Sequence, residues 1–493
     1  MALDPRTPVI VGTGQLSQRV DQGDAALEPV DLLAEAARRA AADAGCDGAI
    51  GLVDSIRVIS LLSWRYRDPG RLVAARIGAS PPQSIYTTAG GNTPQALVNR
   101  TALDIQDGRV DFVLMGGAEA WRTRMAYRAE GGRPPWTVEP DDTPAAEGFG
   151  EDLEMSHPAE LERGLLMPVQ MYPMFETALR AAAGRSPEAH LVHLSELWSR
   201  FSAVAAANPH AWIRHAFTAE ELRATGPANR MVGYPYPKLM NSNNHVEQAA
   251  ALLLCSVERA LALGISPDRW VFPWSGADAH DHLYVSNRAD LRSSPAIRAA
   301  GRGALAGAGI GIDDVGHVDL YSCFPSAVQI AAAELGLGLG RPLTVTGGLS
   351  FAGGPWNNYV THAIATMVDV LRADPGAYGL CTANGGFITK HAVGLYSTRP
   401  PAGGFRYDHP QAEVDAGPGR ELATDHEGPV DIEAYTVMHS RSGDPENALA
   451  ALLLPDGRRA WGTTNDADTM AAMVAEEFVG RRAHLAADGH LQM

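Results

Sequence analysis

The chain has 493 residues, enough for two or three ordinary domains or for one large two-fold unit with additions. A formal net charge of −17 excludes a nucleic-acid partner, which needs a positive footprint, and leaves room only for a local basic patch facing a small phosphorylated ligand. The four cysteines, Cys46, Cys255, Cys323 and Cys381, lie far apart without zinc or dithiol spacing, so no metal site is expected and a reducing cytosol fits.

The first residues, "MALDPRTPVIVGTG", carry charges and prolines where a signal peptide needs an apolar run, and no apolar stretch approaches membrane-spanning length. A cytoplasmic protein without membrane insertion is expected. Alanine and glycine are abundant and lysine is nearly absent, a bias of the kind a GC-rich genome produces.

In chain order, "PVIVGTG" (8–14) reads as a buried strand ending in a glycine turn. "VDLLAEAARRAAADAG" (30–45) has apolar residues at helical spacing with Gly45 as its stop, and "VDSIRVIS" (53–60) is the next strand. A turn, "TTAGGN", then leads into a helix and the strand "DFVLMGGAEA". The same order returns later, with a helix over 293–310, the connector "GIDDV" and a strand "HVDLYSCF" over 317–324. This weak repeat predicts two related α/β halves, each with a mostly parallel sheet covered by helices.

Between the halves, residues 121–240 are rich in Pro, Trp, Met and charge, too long for a plain connection, and are expected to form a loop or lid region. After the linker "STRPPAGGF" (397–405) the chain reads as short strands, a hairpin through Asp456-Gly457 and one helix over "DADTMAAMVAEEFVG". The expected division is 1–120, first half; 121–240, inserted region; 241–400, second half; and 401–493, a small β-rich, barrel-like appendage.

Five stretches together resemble the thiolase superfamily, nearest to the sterol-carrier-protein-type thiolases and thiolase-like proteins. They are "AGGNTPQALVNRTALDIQDGRVDFVLMGGAEA", "NSNNHVEQAAALLL" (241–254), "HVDLYSCF", "GGLSFAGGPWNNY" (347–359) and "YGLCTANGGF" (378–387). The resemblance implies a five-layer α-β-α-β-α fold, with "NSNNHVEQAAALLL" as the Asn-rich turn and Ala-rich helix that open the second half. It also implies an acetyl-CoA acyltransferase-type site. Aligned on Gly108, Gly116, Gly117 and Glu119, the family's nucleophilic Cys falls on Gly91. Its Gly-His-Pro histidine falls on Gly354, its Asn or His of the third motif on Tyr321, and its acid/base Cys on Asn384. Acyl transfer by this route needs a thiolate at a helix start, a base, oxyanion donors and a second thiol. Ordinary thiolysis or Claisen condensation is therefore not expected.

Several residues remain candidates for altered chemistry. Cys323 is either a substitute acyl-accepting thiol or a small buried packing residue, and free cysteine favours the second. Tyr321 and Asn384 either donate to a thioester carbonyl or satisfy backbone groups. His391, and less so His245 and His362, could line the site, while Cys46, Cys255 and Cys381 read as core. Three glycine turns, Gly90-Gly91-Asn92, Gly353-Gly354 and Gly385-Gly386, are expected to keep a ligand-binding concavity, since glycine permits close approach and positive φ.

CoA or acyl-CoA is the ligand the resemblance implies, with no covalent cofactor. Arg214, Arg223, Arg230 and Lys238, with Trp212, Tyr234 and Tyr236, are of the right types to hold it. Three functions stay open from sequence: an acyl-CoA-binding acyltransferase relative with altered or little activity, a non-catalytic acyl-CoA-binding module, or a scaffold subunit reaching a protein partner through the appendage. Thiolases commonly dimerise through the strand before the nucleophile turn, here "PQSIYTT", so monomer and homodimer are both carried forward.

Overall fold

The first strand and first helix pack closely because their facing residues have almost no side chain. The computed structural model describes residues 3–19 and 26–493, and it opens with β1 (Pro8–Ser17) and α1 (Pro29–Ala44). Proline starts the helix, and Gly45 ends it in the left-handed region at φ 69. Its buried face includes Ala36, Ala40 and Ala44, and a side chain at Gly14 of β1 would run into the Ala36 carbonyl. At these positions the alanine and glycine bias is therefore a packing need, not only a matter of base composition.

The first half continues with β2 (Ser55–Val58), α2 (Pro69–Ile77), β3 (Gln83–Thr87), α3 (Thr93–Gln106) and β4 (Phe112–Ala120). The inserted region holds α4 (Trp121–Ala129), β5 (Glu147–Phe149), α5 (Pro158–Glu162), α6 (Pro168–Ala182), α7 (Pro187–Ala207), α8 (Ala219–Arg223), β6 (Met231–Gly233) and β7 (Tyr236–Pro237). Next come β8 (Glu247–Ser256), α9 (Val257–Ala262), β9 (Phe272–His280), α10 (Pro295–Ala308), β10 (Val315–Asp319), α11 (Pro325–Glu334) and α12 (Gly348–Phe351). The second half closes with α13 (Tyr359–Ala373), β11 (Tyr378–Gly385) and β12 (Lys390–Ser397).

One sheet runs β1-β8-β4-β2-β3-β5 and the other begins β10-β11-β12-β9. Read from β1 and from β9, both follow the same plan. That strand pairs antiparallel with β8 or β12, which pairs antiparallel with β4 or β11, which pairs parallel with β2 or β10. The repeat read from sequence is thus a repeat of topology. Helices α3 and α13 lie between the sheets, with α1 and α2 outside the first and α10 and α11 toward the outside of the second. Five layers result, α-β-α-β-α.

Two element readings are corrected. The run "EQAAALLLCS" is not a helix opening the second half but strand β8, which closes the sheet of the first half between β1 and β4. All ten of its residues are buried, and a strand covered on both faces reads as a continuous apolar run, which periodicity cannot tell from a buried helix. Cys255 accordingly sits on a strand. The strand expected over 317–324 ends at Asp319, where its carboxylate accepts from Val345 N (2.9 Å), Thr344 Oγ1 (2.9 Å) and Tyr359 OH (3.0 Å). Tyr321 and Cys323 therefore stand on a loop beyond the strand.

The last region contains β13 (Arg406–Asp408), α14 (Gln411–Asp415), β14 (Gly428–His439), β15 (Pro445–Leu453), β16 (Arg459–Thr464), α15 (Ala467–Ala475), β17 (Arg482–Leu485) and β18 (Leu491–Gln492). Strand β13 joins the second sheet beside β9. The β14–β15–β16 meander, with β17 and β18 added on the other side of β14, closes where Thr463 N donates to Gly489 O (3.0 Å). The helix expected over "DADTMAAMVAEEFVG" stops at Ala475. This small barrel is fused to the rest of the chain. Arg459, fully buried, pairs with Glu433 (2.6 Å) and donates to the carbonyls of Val285 (3.0 Å), Ser286 (2.9 Å) and Arg288 (2.7 Å). Arg180 of α6 reaches Glu477 (2.9 Å) from the other side, and β6 adds to β14.

Candidate functional site

The turns that precede α3 and α13 occupy equivalent places in the two halves, and they meet. Gly90 N donates to Asn357 Oδ1 (3.0 Å), and Asn358 Nδ2 donates to Gly117 O (2.6 Å). At this junction Gly91 is required by space. A Cβ built there would stand 2.5 Å from the Tyr321 hydroxyl and 2.5 Å from the Asn384 carbonyl oxygen. Real Cβ atoms do not come that close, so the place where a nucleophile's side chain would begin is already filled. Gly354 is less firmly closed, since a Cβ there would meet only the Ser242 hydroxyl at close range, with the nearest backbone oxygen 3.4 Å away.

Around Gly91 the structure brings together Tyr321, Cys323 and Asn384, all buried. Tyr321 N donates to Thr382 Oγ1 (2.9 Å), and its ring stands edge-on to Tyr359 at 5.5 Å. Burial pushes its hydroxyl well above the ordinary tyrosine range, so it stays protonated. Burial also pushes the Cys323 thiol up to about 12, only partly offset by Tyr172. A thiol held this way is not a thiolate at neutral pH, and the packing reading of Cys323 fits it better than the nucleophile reading.

Asn384 Nδ2 donates to Tyr172 OH (3.0 Å), while its Oδ1 is buried without a hydrogen-bond partner. Tyr172 OH also accepts from Ile388 N (3.2 Å) and donates to Gly386 O (3.0 Å), so one side chain from the inserted region fastens the third glycine turn.

His391 pairs in register with Asn384 across β11 and β12, but its imidazole points into a different network. Nε2 lies 3.5 Å from Asp281 Oδ2 and 3.4 Å from Ser294 Oγ. Burial alone would raise the Asp281 pKa; Arg288, His391 and Ser294 outweigh it and hold the carboxyl below its usual range. The cavity lined by Tyr321, Asn384, Ile388 and His391 has a volume of ≈ 10 Å³, space for about one water molecule. The glycine turns do come together, with Gly353 (φ 110) and Gly386 (φ 69) in the left-handed region. The concavity expected between them is taken up by Tyr321, Tyr172 and Met155, whose sulfur fills the space a side chain at Gly386 would need.

The other histidines lie elsewhere. His245 is exposed, and His362 sits on α13 with Nδ1 2.8 Å from Gln15 Oε1 of β1. Burial pushes the His362 imidazole down to about 3, with His210 adding to the effect. The unfolded chain takes up this proton near pH ~6.5, so His362's contribution to stability is complete above that pH and is lost as pH falls toward its folded value. Urea denaturation at pH 7 and pH 4 should show a smaller acid loss for His362→Asn than for the parent. Equal losses at the two pH values would refute the assignment.

Sequence reasoning missed three residues. Tyr172 and Met155 come from the inserted region, and no local pattern marks them. Lys390 carries a signal: it is one of only two lysines in the chain, with Lys238, where arginine is the usual cation. Its Nζ donates to Ala89 O (3.0 Å) beside Gly90, and burial lowers its pKa. The cradle sketched for CoA is also changed. Tyr236 is fully buried and donates to Glu176 Oε2 (2.5 Å), and Tyr234 is buried against Arg180 (2.9 Å). Arg230 is tied to the carbonyls of Met231 (2.9 Å) and Ser440 (3.2 Å). Among the described residues there is no cluster of three or more His, Cys, Asp or Glu able to hold a metal, and no helix long and apolar enough to cross a membrane.

Two halves of one strand order, a pair of central helices opening from facing glycine turns, and an inserted region between β4 and β8 define a chain of the thiolase superfamily. The profile for the thiolase-like protein type 1 additional C-terminal domain matches residues 410–490, and that for the thiolase C-terminal domain-like family matches residues 277–353. The crystal structure of a monomeric SCP2-thiolase-like protein type 1 from Mycobacterium smegmatis is 33% identical with TM-score 0.84, over 99% of this chain and 98% of that one. The chain belongs to this SCP2-thiolase-like type 1 family. Two more distant structures share the fold. The Ltp2-ChsH2(DUF35) aldolase is 20% identical with TM-score 0.60, over 80% of this chain and 99% of that one. The dimeric peroxisomal thiolase of Saccharomyces cerevisiae is 13% identical with TM-score 0.59, over 80% and 98%. No curated protein matches the chain.

Proposed function

We propose that this protein binds CoA or acyl-CoA thioesters in the cytoplasm and forms no acyl-enzyme, having kept the thiolase fold without thiolysis or Claisen condensation. The observation that carries the absence of an acyl-enzyme is Gly91, where Tyr321 OH and Asn384 O would each lie 2.5 Å from any Cβ. The acyl-CoA class is supported by membership of the SCP2-thiolase-like family. The raised thiol of Cys323 and the diversion of His391 to Asp281 argue against a substitute nucleophile–base pair. Titration of the full chain with CoA and acetyl-CoA by calorimetry, beside a thiolysis assay with acetoacetyl-CoA, tests the reading. Saturable binding without turnover is expected. Turnover, or the absence of any binding, would overturn it.

The same reading takes the protein as a monomer. The outer edge of β3 is already paired with β5 of the same chain, in register Ile85–Glu147, Tyr86–Gly148 and Thr87–Phe149. At these residues β3 offers no free ladder to a second copy, and the sheet ends instead on the three-residue strand β5. Replacing residues 147–149 with a Gly-Ser linker should make the protein self-associate with rising concentration in light scattering, while the parent stays monomeric. A parent dimer would contradict this.

A further inference from the structure

A concentration of unpaired positive charge lies in a cleft lined by residues other than the glycine turns, in a chain whose overall charge is −17. The cleft, ≈ 700 Å³, is lined by Arg65, Arg67, Arg124, Arg128 and Arg133 together with Trp64. Its volume is in the range of sites that hold a drug- or nucleotide-sized molecule. Among the described residues, none of the five arginines has a carboxylate within 4.0 Å, whereas Arg71 and Arg76 close by are paired with Asp68 and Glu28. Two acids, Glu139 and Asp141, also line the cleft. The Glu139 carboxylate is engaged by the backbone N–H groups of Arg67 (2.6 Å) and Asp68 (3.2 Å), so it fixes the loop without pairing with a guanidinium.

The floor is built in advance. Trp64 Nε1 donates to Thr137 O (2.7 Å), and its ring stands edge-on to Trp136 at 5.3 Å. Arg124 donates to Ser63 O (2.9 Å) with its guanidinium 5.9 Å from the Trp64 ring centre, and Arg67 Nε donates to Thr143 O (2.7 Å). Buried Glu119 accepts from Leu62 N and Ser63 N, both at 2.7 Å, and so pins the loop that carries Trp64 and Arg65. Arg65, Arg128 and Arg133 are exposed. Guanidinium groups match phosphate oxygens in pairs, and a fixed indole beside them offers a face to a base.

We propose that this cleft binds a nucleotide bearing two or more phosphate groups. The free nucleotide and the nucleotide end of CoA share this chemistry. The inference stands on the cleft alone and does not require the acyl-CoA binding proposed above.

Calorimetry of the full chain with ADP, pyrophosphate and CoA, at low and high salt, tests it against Arg65→Ala/Arg133→Ala, a double variant of exposed side chains. Binding of ADP that weakens with salt, and is about tenfold weaker in the variant, is expected. ADP binding without CoA binding would support the cleft as a free-nucleotide site and overturn the CoA reading. ADP binding unaffected by the variant would overturn the cleft, and CoA binding unaffected by the variant would place CoA outside it. No binding of ADP would also overturn it.

Discussion

Gly91→Cys, which restores the family's nucleophile by name, is expected to destabilise the protein by about 3 kcal/mol and to restore no thiolysis. The cost is steric. Gly91 is not among the glycines at positive φ, so backbone conformation does not forbid a side chain there. What forbids it is Tyr321 OH on one side and the Asn384 carbonyl on the other, each 2.5 Å from the new Cβ. A tyrosine can be removed and a backbone oxygen cannot. Gly91→Cys should therefore cost less on a Tyr321→Ala background than on the parent, recovering part of the loss in that comparison by urea denaturation but not all of it. A single variant as stable as the parent, or a full recovery on the Tyr321→Ala background, would show that the turn has more freedom than its packing implies.

Arg459→Ala is expected to cost about 3–5 kcal/mol and to loosen the barrel from the thiolase-like body. The loss of packing is the smaller part. Removing the guanidinium leaves the Glu433 carboxylate without its partner at 2.6 Å and three carbonyls, those of Val285, Ser286 and Arg288, without a donor in a buried seam. Trp461 Nε1, 2.8 Å from Ser286 Oγ, belongs to the same seam. Limited proteolysis should cut the variant near residues 398–405 faster than the parent. Unchanged stability and unchanged cleavage would mean that the barrel is held chiefly by other contacts.

These two sites also mark how far the sequence could be read. The first strand and helix, their glycine stop and the return of the same order after residue 290 follow from periodicity and turn residues, because these are local properties. So does the hairpin at Asp456-Gly457, whose glycine has φ 87. The alanine run of β8 was ambiguous in principle, since burial on both faces erases alternation. That glycine stands at 91 and 354 is plain in the sequence. That a side chain at either position would meet occupied space depends on Tyr321, Asn384 and Ser242, which are brought there by the fold over long separations. Tyr172 and Met155 reach the turns from an inserted region with no periodic signal. The arginine cleft was legible only as a permitted exception to the acidic charge, because its residues come from two segments more than fifty positions apart.

The central claim, a thiolase fold that forms no acyl-enzyme, is tested most directly by the intact mass of the full chain after incubation with acetyl-CoA and with acetoacetyl-CoA. The expected result is an unchanged mass in both. A gain equal to one acetyl group, lost in Cys323→Ala, would contradict the claim and make Cys323 the nucleophile after all.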